Sequence, residues 1–213
     1  MRGLNSRSGL GPRDFPPLPM VFLTGCGQRL PQMEVYVDKR DIYEIPCELF
    51  GLWHFSDERP LKGINGLLDW RLDAKISQLI MSGRIQGAWG EKVMLGSIDE
   101  LPGKEIIFIG LGPIGEFEAS RMQDAGRIMA DTALKLNRQT ICLSLPGSGI
   151  EDLDMTVVAE HVLFGLAIEA GDKKLTPWIM CSPDEMDEAL LGFQKTKISL
   201  KSRIRADIIQ VKP

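Results

Sequence analysis

Apolar residues recur along this chain with two alternating periods, one of two and one of three to four, the pattern of an α/β fold. Glu34-Val35-Tyr36-Val37-Asp38 alternates as a half-exposed strand should, and CELFGLWHF over 47–55 reads as a more apolar strand. The period then lengthens. Residues 66–82 place Leu68, Leu72, Ile76, Leu79 and Ile80 on one helical face, with Gly83 positioned to end the helix in the left-handed conformation. Short strands over 92–95 and 105–109 follow, joined across 99–103 as a hairpin. Met122, Ala125, Gly126, Met129, Ala133 and Leu136 then fall three or four apart, predicting a helix whose Gly126 lets it sit close to the strands. A buried strand over 140–145 leads to a helix capped by Asp152 or Asp154 and ending near Ala170. That helix is apolar almost all round, so protein should cover it on more than one side. A strand over 176–181 and an amphipathic helix over 183–193, opened by Ser182 and Pro183, complete the regular pattern.

The centre of this pattern is the strand, glycine loop and helix between residues 104 and 137. Its loop, Gly110-Leu111-Gly112-Pro113-Ile114-Gly115, matches GxGxxG. A dinucleotide site also needs an acidic residue about 20 positions on, at the end of the next strand. That strand runs instead into Pro146-Gly147-Ser148-Gly149, and Pro113 removes an amide donor that a phosphate would use. A turn that needs glycine for its backbone shape is the favoured reading. Both glycine loops follow buried strands and precede helices, so both are expected at carboxyl strand ends on one edge of the sheet. Anionic ligands favour such places. The candidate ligand-binding residues are therefore Gly110, Leu111, Gly112, Gly115, Pro146, Gly147, Ser148 and Gly149.

Towards the end of the chain Ile198, Leu200, Ile204, Ala206 and Ile208 alternate with Ser199, Lys201, Arg203, Arg205 and Asp207. The period predicts that 195–213 form an extended strand with one apolar and one largely basic face. It reads as an edge strand guarded by its cations, with a strand lent to a partner or a basic rim for an acidic surface as the alternatives.

Composition narrows the class. A length of 213 residues accommodates one domain over 33–213, behind a Gly-, Pro-, Ser- and Arg-rich arm over 1–32 that is expected to be disordered. Met33 is an alternative start. A formal charge of −4 and a pI near 5.3 argue against a nucleic-acid surface. Four cysteines without a CxxC pair and only two histidines suggest no metal centre and a reduced, cytoplasmic setting. No apolar run is long enough for a membrane span. Leu23-Thr24-Gly25-Cys26 has the form of a lipoprotein cleavage box, but Pro16, Pro17 and Pro19 break the apolar stretch before it. His161 beside Glu160 reads as a helix-surface residue. His54 with Asp57 resembles half of an acid–base pair without a nucleophile, and Asp69 suits a helix first turn.

Residues 59–95 resemble the amino-terminal domain of the leucine aminopeptidase (cytosol aminopeptidase) family. Arg59-Pro60-Leu61, Gly63, Leu68-Asp69-Trp70-Arg71-Leu72, Ser77, Gly83, Gly87 and Gly90-Glu91 stand at matching spacing. The strand and loop over 106–112, and Ala159-Glu160 with Leu163-Phe164-Gly165, resemble later parts of that domain, so the likeness covers about 33–182. It implies a three-layer α/β/α sandwich with a mixed sheet, related to the macro-domain fold. In the family a catalytic domain follows, holding two divalent metals through Lys, Asp and Glu, with a motif reading Asn-Thr-Asp-Ala-Glu-Gly-Arg. That motif does not occur here, and the roughly forty residues after the late helix are expected to be too few for such a domain. No catalytic residue, metal ligand or cofactor is therefore carried over. The resemblance implies a stand-alone, non-catalytic module for interaction or regulation, working with a separately encoded peptidase or with itself as a homo-oligomer. The macro-domain likeness adds an alternative: binding or hydrolysing a nucleotide derivative such as ADP-ribose at the glycine loops.

Overall fold

The computed structural model describes residues 30–96, 101, 105–118, 120–147 and 153–211. Among the described residues, seven strands form one sheet: β1 (Gln32–Asp38), β2 (Leu49–His54), β3 (Lys92–Gly96), β4 (Glu105–Gly110), β5 (Thr140–Ser144), β6 (Thr176–Met180) and β7 (Arg205–Gln210). Their spatial order is β3-β4-β2-β5-β6-β1-β7, parallel throughout except for the antiparallel β3–β4 pair. The hairpin expectation holds, although most of its 99–103 turn lies outside the described residues.

The central strands are apolar at successive positions because both their faces are buried. In β4, Ile106 and Phe108 face α1 (Gly63–Arg71) and α2 (Lys75–Met81), in a core with Leu68 and Ile76. Ile107 and Ile109 face the other layer: α3 (Arg121–Lys135), α4 (Met155–Ala170) and α5 (Met186–Leu200). The protein is thus a three-layer α/β/α sandwich with a mixed sheet.

α4 explains its own sequence. It is capped by Asp154, which accepts from Thr156 and Val157 N–H at 2.9 and 3.2 Å, and 10 of its 16 residues are buried. α3 packs on one side and α5 on the other. A Cβ on Gly126 would collide with Val162 O, and one on Gly192 with Thr156 O. Gly126 thus serves a helix–helix contact rather than the helix–strand approach its position suggested.

Three expectations need correction. Residues 66–82 are two helices, broken where Asp73 and Ala74 adopt φ of 52° and 59°. The side chain of Asp69 draws the chain into that break by accepting from Ser77 N–H at 2.8 Å and Ser77 Oγ at 2.5 Å. The final helix begins at Met186 rather than Pro183 and runs on to Leu200. The extended stretch expected from 195 therefore starts only at Arg205. Helical spacing of Ala189, Phe193, Thr196 and Leu200 decides this, because buried Thr196 spends its hydroxyl on Glu160 O at 2.8 Å and so fits the core.

Candidate functional site

β4, β2 and β5 are parallel neighbours, so the loops that leave them emerge on one edge of the sheet, as expected. The 110–115 loop follows β4, the 144–147 segment ends β5, and the turn after β2 lies between them.

The first of these loops is spent on the fold. Gly110 N–H donates to Glu91 O at 2.9 Å, Leu111 N–H to His54 O at 2.9 Å and Gly112 N–H to Gly87 O at 2.8 Å. Ile114 N–H donates to Asp57 Oδ1 at 2.8 Å, and Pro113 has no donor. An anion cradle needs free, convergent amides, and these are occupied. The glycines have structural duties instead. A Cβ on Gly110 would strike Ala88 O, and Gly112 holds φ at +77°. Gly115 has no neighbour within 4 Å of a built Cβ and no such φ. The helix also does not follow at once: a single short turn over Ile114–Glu116 intervenes before α3.

A cleft does exist, on the other side of β2. It lies between the first turn of α1 and the end of β5 and reaches Pro146 and Gly147, but none of residues 110–115. Ser148 and Gly149 lie outside the described residues. Trp53, Phe55 and Leu145 give it apolar walls, while Glu58, Lys62 and Asn65 supply polar groups. Counted to its open mouth it encloses about 330 Å³, yet its walls stand close enough to admit about one water-sized molecule. Gly147 turns the chain here with φ of +81°.

The polar groups are unevenly satisfied. Asn65, 6% exposed, donates Nδ2–H to Trp53 O at 2.6 Å, and Trp53 in turn donates Nε1–H to Ser144 O at 2.7 Å. Asn65 Oδ1 is buried without a hydrogen-bond partner among the described residues. Lys62, the residue before the helix, offers no side-chain cap to the first-turn amides of α1. Glu58 accepts from Lys62 N–H at 3.1 Å; burial pushes its carboxyl pKa up, against the pull of Lys62 and the amides. His54 is 1% exposed, and among the described residues both its ring nitrogens lack a hydrogen-bond partner; Glu58 Oε2 stands 4.0 Å from its Nδ1. Burial lowers its pKa.

Asp57 is not a partner in an acid–base pair, since its carboxylate holds the Ile114 amide. His161 stands half-buried on α4, away from the cleft. Burial pushes the Cys181 thiol up to about 12 and raises the Cys142 thiol as well, so both behave as apolar core residues. Among the described residues, no group of three or more His, Cys, Asp or Glu side chains is placed to hold a metal.

The family model for the cytosol aminopeptidase family, N-terminal domain, matches residues 50–169. The chain belongs to that family. Its aminopeptidase relatives include a probable cytosol aminopeptidase of Cyanothece sp., 27% identical over 172 residues, covering 76% of this chain and 34% of the relative. A second, from Thermosynechococcus vestitus, is 28% identical over 100 residues, covering 46% of this chain and 20% of the relative. The chain thus spans about a third or less of the curated aminopeptidases it matches. Among solved structures, a tomato leucine aminopeptidase mutant superposes with a TM-score of 0.55 at 15% identity, over 78% of this chain and 36% of that one. The macrodomain of Thermus aquaticus DarG gives 0.54 at 15%, over 70% and 99%. A Trypanosoma brucei macrodomain in complex with ADP gives 0.56 at 13%, over 75% and 67%. At such identities the likeness is one of fold.

Glu58, Lys62 and Asn65 of the family's Arg59-Pro60-Leu61 neighbourhood were not among the residues singled out from sequence. One signal was readable: Asn65 continues the stripe Leu68, Leu72, Ile76, a polar residue in the phase of a buried face.

Proposed function

We propose that this aminopeptidase-family domain acts as a non-catalytic interaction or regulatory module, working in the cytoplasm with a separately encoded peptidase or with a second copy of itself. The observation that carries this reading over its rival is the state of the 110–115 loop, where the amides of Gly110, Leu111, Gly112 and Ile114 are occupied inside the fold and Pro113 has none. A partner surface is available on α1, where Leu67 and Trp70 sit three residues apart, 37% and 76% exposed. The test is co-purification with a leucine aminopeptidase catalytic subunit. Trp70→Glu should abolish it while leaving the melting temperature within about 2 °C, since an exposed substitution changes stability by less than ~0.5 kcal/mol. Manganese-dependent release of leucine from a peptide by the purified chain alone would overturn the non-catalytic reading.

A second reading draws support from the macrodomain likeness, including the macrodomain solved in complex with ADP, and from Pro146 and Gly147 at the cleft. On it, the chain binds or hydrolyses a nucleotide derivative such as ADP-ribose. Micromolar binding of ADP-ribose in calorimetry would favour this reading; heats indistinguishable from dilution would leave the module in place.

A further inference from the structure

α5 shows solvent a stripe whose two halves are complementary to each other. Asp187, Glu188, Leu191, Lys195 and Ile198 recur at helical spacing along its outer face, and Lys201 caps the carboxyl end. All six are exposed, Leu191 at 54% and Ile198 at 65%. The inner face, with Ala189, Phe193, Thr196 and Leu200, is buried. The acids have a reason within the fold, because a helix dipole favours negative charge in the first turn. Leu191 and Ile198 have no such reason. They lie two turns apart on one line, between acids at one end of the helix and a cation at the other. Lys197, turned towards the sheet, meets Asp207 at 3.8 Å, whereas Asp187, Glu188, Lys195 and Lys201 have no ion-pair partner among the described residues.

We infer that this face pairs with α5 of a second copy, antiparallel, about a two-fold axis that crosses the helix near Lys195. Such an axis turns the stripe onto itself. Leu191 meets Ile198 of the second copy, Asp187 comes opposite its Lys201, and each contact occurs twice. Lys195, beside the axis, extends towards Glu188 of the second copy. A parallel pair would instead set acid against acid and cation against cation. The apolar contact supplies affinity, and the charged ends fix the direction. α5 has only 15 residues, so this pair buries less than the roughly 1,600 Å² of a standard interface, and its dissociation constant is expected in the micromolar range. α5 and α1 lie in opposite layers, which leaves Trp70 free in the dimer. This assigns the surface for the second-copy branch of the module reading and rests on that reading for its purpose: a two-ended module holds two peptidase subunits at once.

Sedimentation equilibrium of the full chain, at low salt and from low to high micromolar concentration, tests it. The unmodified chain should reach twice its monomer mass, and Ile198→Lys should weaken the dimer at least about tenfold. Asp187→Lys and Lys201→Asp, each alone, should weaken it about tenfold, because like charges then face each other at both ends. Mixing these two variants should restore the unmodified constant, since each supplies the charge the other lacks. All three positions are exposed, so each variant should keep a cooperative melt, and rescue by mixing two folded chains is not an effect of misfolding. A monomer at every concentration, a dimer indifferent to Ile198→Lys, or charge variants that mixing does not rescue overturns the proposal. So does a monomeric chain that loses a co-purifying peptidase on Ile198→Lys, which gives the face to the peptidase. A rescued dimer with which no peptidase co-purifies keeps the pairing and removes the peptidase branch of the module reading.

Discussion

His54 carries a cost that the other residues of β2 do not. Its ring is sealed in protein, and in the neutral form one N–H and one lone pair both lack partners among the described residues. An unsatisfied buried donor costs about 1–3 kcal/mol. The linkage sign follows from burial. The folded pKa lies below the ordinary 6.5, so the unfolded chain binds the proton first as pH falls. This contribution to stability is present above 6.5 and is lost as pH falls towards the folded value. Glu58 has the opposite sign: its raised pKa gives stability that is present below the ordinary 4.5 and lost as pH rises through the raised value. His54→Leu should therefore raise stability at pH 5 by about 1–2 kcal/mol relative to the unmodified chain. The difference should shrink towards pH 7, in urea titrations at each pH. A parallel offset at both pH values would show that packing, not protonation, is responsible. Asp38 shows how such a burial is normally relieved: desolvation pushes its pKa up, but the hydrogen bonds and charge of Arg40, at 2.6–3.0 Å, outweigh it and leave the pKa lowered.

At the scale of elements, helix contacts decide what glycine is for. Glycine inside a helix ordinarily costs about 1 kcal/mol relative to alanine. In α4 the sign reverses, because a Cβ on Gly165 would overlap Gln123 O and crowd Arg127 N at 3.0 Å. Backbone cannot step aside as a side-chain tip can, and overpacking costs about 1–3 kcal/mol. Gly165→Ala should lower stability by about 2 kcal/mol net of propensity, against Gly115→Ala as control, which should change it by less than ~0.5 kcal/mol. Equal effects in denaturant titration would contradict the close α3–α4 approach. The same contrast explains what the sequence allowed. The apolar stripes of α3 and α4 and the bare runs of β4 and β5 are local signals, and they located those elements. The break between α1 and α2 depends on Asp69 reaching Ser77, eight residues away, so a window reading of 66–82 sees one continuous stripe. Asp69 does not stand in a helix first turn as its sequence position suggested: it lies near the end of α1, and its carboxylate reaches Ser77 of α2. The turn reading favoured for the GxGxxG loop rests on glycine's backbone shape, which is local; whether its amides are free depends on Glu91, Gly87, His54 and Asp57, none of which is local to the loop.

For the whole molecule, the end of the chain is the strongest test of what is scaffold and what is offered to a partner. Among the described residues, β7 lies at the sheet edge and pairs only with β1, in register from Gln32↔Arg205 to Val37↔Gln210. Ile204, just before the strand, and Ala206 within it are 4% and 1% exposed, so alternation over 204–208 was real even though 198–200 are helical. The outward face is less basic than composition implied, because Asp207 gathers Arg205 at 3.5 Å, Lys197 at 3.8 Å and Gln32 Nε2–H at 2.9 Å. A detachable docking strand would be expected to keep its apolar side exposed and its charges unpaired. Here the strand closes the sheet, and its neighbour β1 would become the edge without it. Cutting the chain after Leu200 should remove on the order of 3 kcal/mol of apolar burial from Ile204 and its neighbours. It should also bare the β1 ladder. The truncated chain should melt earlier in circular dichroism and run as higher oligomers in size-exclusion chromatography at high protein concentration. An unchanged melt, with loss only of co-purifying peptidase, would instead make β7 the element lent to the partner, and would move the interaction surface from Trp70 on α1 to the opposite end of the sheet.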